Sequence, residues 1–406
     1  MQPDDVTMDG LADELDRRLA AADAALLAHY PGDRGVRQPV HTVYVPGDRF
    51  DAGTVTSWGA EAMAALDALS ELIPEGGNVL ERVRAKLARE PIEDLRIDFE
   101  DGYGVRPDDQ EDADVVSAAR ALAASVQAGS ASPYNGIRVK SFEAPTRRRG
   151  LRTLDLFVGE LGDGLTDGFR VTLPKVTSVD QVAAMVTALE FVEAKHALKA
   201  SLLVEIQVET PQSILGSDGT ALVARMIQAG GGRVTGLHYG TYDYSASLGV
   251  AAEHQSMEHP VADHAKDVMQ VAAAGTGVFV SDGSTNRLPI GDRDAKQAAW
   301  ALHLRLVRRS LERGIYQGWD LHPAQLPSRF VATYGFFREG LPTAATRLRA
   351  YVHGGQSGYL DEPATAAALA GYVLRGVECG AVDEAEVDEL IGVDRIALAR
   401  LARRPV

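Results

Sequence analysis

LVEIQVETPQSIL, residues 203–215, opens as a β-branched, apolar run and closes on Glu209, Thr210 and Pro211. The run has the pattern of a buried strand, and proline, which cannot donate to a strand ladder, marks its end. Glu209 is then a carboxylate at a strand's carboxyl end, where α/β proteins build their sites. The same grammar repeats to either side. Short β-rich runs at 41–45, 95–99, 136–139 and 169–173 precede the strand at 203–208, and others follow at 234–239, 277–280 and 316–321. Helical periodicity fills the gaps at 54–72, 109–128, 178–198, 221–229, 260–274 and 292–313. Strands that alternate with helices indicate parallel βαβ units. A count of eight predicts a (β/α)8 barrel, with a doubly wound open sheet as the alternative.

The flanks are helical. Residues 8–30 carry Leu11, Leu15, Leu19 and Leu26 along one face, expected to pack outside the barrel. After Leu326 the pattern turns to helix and loop, with helices expected at 344–351, 363–379 and 383–402. The expected organisation is an N-terminal helical segment (1–40), a barrel (41–328) and a C-terminal helical extension (329–406). This tail is long enough to cover a barrel face or dock on a neighbouring subunit, and a homo-oligomer is the expected assembly. The glycines at 230–232 read as a helix stop followed by a turn.

Composition bounds the partners. A hydrophobic content of 45% over 406 residues is enough for a large core. The net charge of −16 argues against nucleic acid or an anionic membrane as the main partner, though not against small anions in a locally basic cleft. The lone Cys379 excludes an internal disulfide and fits a reducing cytoplasm. The acidic N-terminus does not read as a signal peptide, and no apolar run is long enough for a membrane span.

In a barrel the strand ends converge on one mouth, here bringing Asp48, Glu100, Asp101, Arg138, Lys140, Lys175, Glu209, Asp243, Asp282 and His322. Buried charges must be paired, so this concentration points to a site. Glu209 and Asp243 end successive strands about 4.8 Å apart and can meet at one Mg²⁺. Alternatively, each caps a helix or pairs with a nearby cation. Asp98, Glu100 and Asp101 crowd three carboxylates into RIDFEDGYG, which calls for cations or a metal in compensation. They can support the ion, or pair with Arg138 or Lys175. Arg138 can offer its planar fork to a substrate carboxylate or a developing enolate oxygen. Lys175 is a second candidate anion contact or a paired interior charge. The basic run 147–149 reads as a solvated loop that could meet the phosphates of a large anionic substrate. His254, His259 and His264, spaced by five, do not share a helical face and are not taken as a zinc site. Nucleotide-loop, nucleophile-elbow and HExxH motifs are absent from the sequence.

Seven segments, in order, carry a resemblance: TVYVPGDRF (42–50), RIDFEDGYG (96–104), IRVKSF (137–142), TLPKV (172–176), VEIQVETPQSIL (204–215), LHYGTYDYSASLG (237–249) and DLHPAQL (320–326). The chain resembles the HpcH/HpaI aldolase and citrate lyase β-subunit family, in the superfamily that includes malate synthase. The resemblance implies a (β/α)8 barrel using Mg²⁺ or a similar divalent ion such as Mn²⁺. It puts Glu209 and Asp243 on the family's metal carboxylates and Arg138 on the arginine that stabilises the enolate. Glu100 and Asp101 fall on the acidic pair near the metal-bound waters, with Asp101 a candidate base. Lys175, Gly240 and Thr241 join Arg138 as candidate substrate contacts. Lys140 departs from the asparagine usual in citrate lyase relatives, and DFED leans toward malate synthase. The implied activity is a metal-dependent carbon–carbon lyase or aldolase acting on a 2-oxo acid or acyl-CoA. The alternatives are malate synthase-like condensation, malyl-CoA-type thioester hydrolysis, or a non-catalytic barrel subunit.

Overall fold

Each run read as a strand forms one, parallel to its neighbours. β1 (His41–Pro46), β2 (Asp94–Asp98), β3 (Tyr134–Arg138) and β4 (Phe169–Leu173) are followed by β5 (Leu203–Val208), β6 (Val234–Tyr239), β7 (Phe279–Ser281) and β8 (Gly318–Asp320). The structure, a computed structural model, describes residues 7–70 and 77–405, so the end of the helix expected at 54–72 lies outside the described residues. Strand order runs β7-β6-β5-β4-β3-β2-β1-β8. A bridge between Ser281 and Gln317 joins β7 toward β8, and the Asp282 N–H donates to the Gln317 carbonyl at 2.8 Å. The ring is therefore nearly closed and the strand order sequential, as a (β/α)8 barrel requires and a doubly wound sheet does not.

The two faces of the strands divide the chemistry by alternation. Val43, Leu95, Ile97, Ile137, Val171, Val204, Ile206 and Leu237 are buried in the main apolar core. Each stabilises the fold by about 1.5–3 kcal/mol relative to exposure. The alternate positions face the lumen and are unusually polar for a barrel, whose interior is commonly filled by branched apolar residues. Arg96 lies at its centre, ion-paired to Asp94 and, at 2.6 Å, to Glu205. Thr42 donates to Asp94 at 2.9 Å. A charge here survives burial only because its partners are fixed around it.

Some expectations need correction. Arg147–Arg149 is not a loop: it opens the helix Arg147–Leu161, whose buried Gly150, Leu154, Phe157, Val158 and Leu161 follow helical spacing. Arg149 is tied to Asp112 at 2.8 Å and to Glu111 at 3.3 Å, which spends its charge inside the protein. The helix Gly77–Arg89 has no counterpart among the expected elements. The helix expected at 344–351 is the end of a 28-residue helix, Leu326–His353. The one expected at 383–402 is two helices, Glu384–Ile391 and Arg395–Leu401, separated where Gly392 takes a left-handed φ of 80°. The leucine face of Met8–His29 is not covered by the rest of the described chain: Leu11, Leu15, Leu19 and Leu26 are 45%, 42%, 49% and 60% exposed.

The tail is built into the barrel. Phe330, Tyr334, Phe337 and Leu341 belong to the same core as the strands. Asp320 of β8 is held by Arg329 at 3.0 Å, by His41 of β1 at 2.9 Å and by His303 at 3.2 Å, all buried. Among the described residues no helix is long and apolar enough to cross a membrane.

Candidate active site

The loop after β2 is folded by its own carboxylate. Asp98 accepts the N–H of Glu100 at 2.9 Å and of Gly102 at 2.8 Å. A Cβ on Gly102 would stand 2.5 Å from Asp98 Oδ2, so the turn needs glycine there. Lys140 secures the loop from the other side. Its ammonium donates to the Phe99 carbonyl at 2.7 Å and pairs with Glu111 at 2.9 Å. This loop turns Glu100 and Asp101 toward the mouth.

Arg138, the last residue of β3, is buried and mostly committed. Its Nε and Nη2 donate to Asp98 at 2.7 and 2.6 Å in a bidentate fork. Nη1 reaches Gln207 Oε1 at 3.2 Å and lies 3.5 Å from Glu100. The Tyr44 ring lies 4.8 Å from the guanidinium, and the Tyr44 hydroxyl is buried without a partner. The fork is therefore occupied from within, and Nη1 is the edge left facing other groups.

Lys175 takes a left-handed φ of 52°, which is unusual for a residue with a side chain and costs about 1–2 kcal/mol. That backbone twist is used: the Lys175 N–H donates to Glu209 Oε1 at 2.7 Å. Its ammonium lies 2.9 Å from Glu100, 2.7 Å from Asp101 and 3.6 Å from Asp243. Burial would lower the Lys175 pKa, but Glu209, Glu100 and Asp101 together raise it. Glu209 is 1% exposed, and its other oxygen accepts from Gln207. Burial, aided by Asp243 and Glu100, pushes its carboxyl up to about 8 against the pull of Lys175 and Arg138. Burial also raises Glu100, whereas Asp101 is lowered because Lys175 outweighs its burial.

Asp243 lies in the first turn of the helix Thr241–Ser247, just after β6, and is half exposed. Gly240 makes room for Glu209: a Cβ there would stand 2.4 Å from the Glu209 Cβ and 2.7 Å from its Oε2. Gly240→Ala is accordingly expected to displace the Glu209 carboxylate and lower the melting temperature by a few degrees. Thermal unfolding would check it, and an unchanged melting temperature would contradict it. Thr241 is 2% exposed with a buried, unpartnered hydroxyl at the same end.

Glu100, Asp101, Glu209 and Asp243 thus share one neighbouring ammonium, while Asp98 and Arg138 offset each other. Four carboxylates against one lysine leave three negative charges when all are ionised, and two while burial keeps Glu209 protonated. Among the described residues no three His, Cys, Asp or Glu side chains form a ready-made metal cage. Three sequence candidates stand elsewhere. Asp282 turns to Lys266 at 2.9 Å and Ser310 at 2.6 Å. His322 accepts from the Ala324 N–H to cap a short helix. Asp48 pairs with Arg106 at 3.3 Å. Gln207, bridging Arg138 and Glu209, was missed, although alternation sets it on Glu209's face of β5.

The family described as a domain of unknown function, DUF6986, matches residues 19–406. The chain belongs to that family. No curated protein matches it. Among solved structures, a citrate lyase from Burkholderia xenovorans LB400 is similar at 18% identity and a TM-score of 0.62, over 88% of this chain and 98% of that one. A malate synthase from Haloferax volcanii is similar at 14% identity and a TM-score of 0.50, over 91% and 99%. The CitE protein of Mycobacterium tuberculosis, solved with magnesium and acetoacetate, is 19% identical over 73% and 91%, with a TM-score of 0.43. The structural neighbours of this DUF6986 chain thus come from the groups its sequence motifs resemble, and the shared feature is the barrel.

Proposed function

We propose that this protein is a divalent-metal-dependent lyase or aldolase that cleaves a carbon–carbon bond beside the carbonyl of a small 2-oxo acid or acyl thioester. The observation that carries this reading is the gathering of Glu100, Asp101, Glu209 and Asp243 about Lys175, beside Arg138 at the strands' carboxyl ends. An all-oxygen donor set whose carboxylates outnumber the one lysine among them suits a hard divalent cation, Mg²⁺ or Mn²⁺. Glu209 and Asp243 would hold it, and when bound it supplies Lewis-acid polarisation of a carbonyl.

The chain's own residues supply the rest. Arg138 Nη1, which gives one N–H to Gln207, offers its other N–H to one developing oxyanion rather than a fork to a carboxylate. Lys175 adds positive charge for a substrate carboxylate. Asp101, its side chain 54% exposed, is kept ionised by Lys175 and so is free to accept a proton, although the same pairing weakens it as a base.

Calorimetry with millimolar Mg²⁺ and Mn²⁺, followed by turnover assays on a hydroxy-keto acid and on its coenzyme A thioester, tests the reading. Saturable ion binding and ion-dependent cleavage of one substrate are expected. Absence of divalent-ion binding would overturn the proposal in favour of a non-catalytic barrel subunit. Ion-dependent condensation or thioester hydrolysis without cleavage would overturn it in favour of a malate synthase-like or thioesterase chemistry.

A further inference from the structure

At the opposite, amino-terminal end of the barrel, two arginines meet without a carboxylate for either. Arg34, in the segment crossing that end, donates through Nη2 to the carbonyls of Gly232 at 2.8 Å and Val234 at 2.7 Å. Arg170 of β4 is 9% exposed, and donates through Nη1 to the carbonyls of Asp167 at 2.6 Å and Phe169 at 2.8 Å. The Nε of each, Nη1 of Arg34 and Nη2 of Arg170 donate to nothing among the described residues. The buried arginines elsewhere differ: Arg96, Arg138 and Arg329 each hold a carboxylate at 3.0 Å or closer.

Arg34 and Arg170 both line a cavity of about 110 Å³, with Tyr134, Glu205, Thr235 and Gln317 among its walls. A cavity needs only about 10–15 Å³ of such space to hold a water, so this one has room for several waters or for one small oxyanion such as acetate or phosphate. Asp94 and Glu205 also face it, but both are engaged by Arg96, and Glu205 further by His238 at 3.3 Å. Counting Arg34, Arg96 and Arg170 against Asp94 and Glu205, three positive charges less two negative leave one positive. Burial and the charge of Arg170 lower the Arg34 pKa, and burial with Arg96 lowers that of Arg170 against the opposing pull of Glu205 and Asp94.

The geometry points to a binding site for one small oxygen anion, a carboxylate or a phosphate, gripped between Arg34 and Arg170 at the closed end of the barrel. The anion supplies the missing charge and pins the segment carrying Arg34 to β4 and β6. It lies at the end of the barrel remote from the proposed metal site, so its occupancy is read without reference to turnover.

The test is thermal unfolding of the full chain in chelator, at fixed ionic strength, as sodium phosphate or sodium acetate replaces sodium chloride. For the wild type a saturating rise of about 2–4 °C is expected with at least one of the two anions. Which anion acts separates the two sources. Arg170→Met and Arg34→Gln are expected to lose that saturable rise. Should Arg170→Met fail to fold, titration calorimetry of the wild type and Arg34→Gln with the active anion decides, with one-to-one binding expected in the wild type alone. A wild-type response no greater than that to chloride, or an equal response in Arg34→Gln, would overturn the assignment.

Discussion

Glu209→Gln is expected to abolish divalent-ion binding and turnover together while leaving the metal-free fold intact. The glutamate is buried, accepting from the Lys175 N–H on one oxygen and from Gln207 on the other. Glutamine has the same shape and keeps one acceptor, so packing around it changes little. With its carboxyl pushed up to about 8, the metal-free wild type already holds Glu209 largely protonated at pH 7. The amide therefore matches that neutral form in charge and shape, at the loss of one accepted hydrogen bond where its NH2 meets a donor. Loss of the anionic ligand should cost several kcal/mol, or about 10³-fold or more in turnover. The linkage sign is definite: this acid's folded pKa lies above its unfolded value of 4.5. Its stabilising contribution is present in full below 4.5 and is lost as pH rises through about 8. The metal-free wild type should thus lose stability relative to Glu209→Gln across that window. Paired melting curves from pH 5 to 9, with ion titrations at each pH, would check both halves. Undiminished Mg²⁺ affinity in the variant would remove Glu209 from the metal site.

The strands were legible because their outward faces are covered by helices and their β-branched runs are short and bounded, as at Leu203–Val208. Sequence gave no comparable mark for Arg147–Leu161, since three successive arginines read as solvated chain until their partners on the preceding helix, Glu111 and Asp112, are seen. Nor could a stripe of leucines in Met8–His29 say what, if anything, covers it. At the mouth, position at a strand end was readable but direction was not. Glu209 and Asp282 both follow strands, yet one faces Lys175 and the other turns back to Lys266. The pleat that dictates side-chain direction within a strand ends with the ladder, and loop hydrogen bonds take over. The same limit applies to Arg138: sequence supplied a guanidinium, while only the register of Asp98 with Arg138 across β2 and β3 reveals that the fork is already filled.

That filled fork yields the second large expectation. Arg138→Lys should lower kcat by about 10²–10³-fold, the usual cost of removing one oxyanion donor, while leaving the Mg²⁺ dissociation constant within about threefold. Lysine keeps a single positive charge but cannot match both oxygens of Asp98 and still reach past Gln207. The milder variant matters here. Arg138→Ala would leave Asp98, 1% exposed, as an unpaired buried charge, a destabilisation of about 3–5 kcal/mol that would confuse folding with chemistry. With lysine in place Asp98 retains a cation and still accepts from the Glu100 and Gly102 N–H groups, so the loop carrying Glu100 and Asp101 holds its shape. Steady-state kinetics on the cleaved substrate, with ion titration of the same preparation, separates the roles. A variant that turns over within tenfold of wild type but binds Mg²⁺ far more weakly would make Arg138 an organiser of the carboxylate cluster rather than the stabiliser of the developing oxyanion.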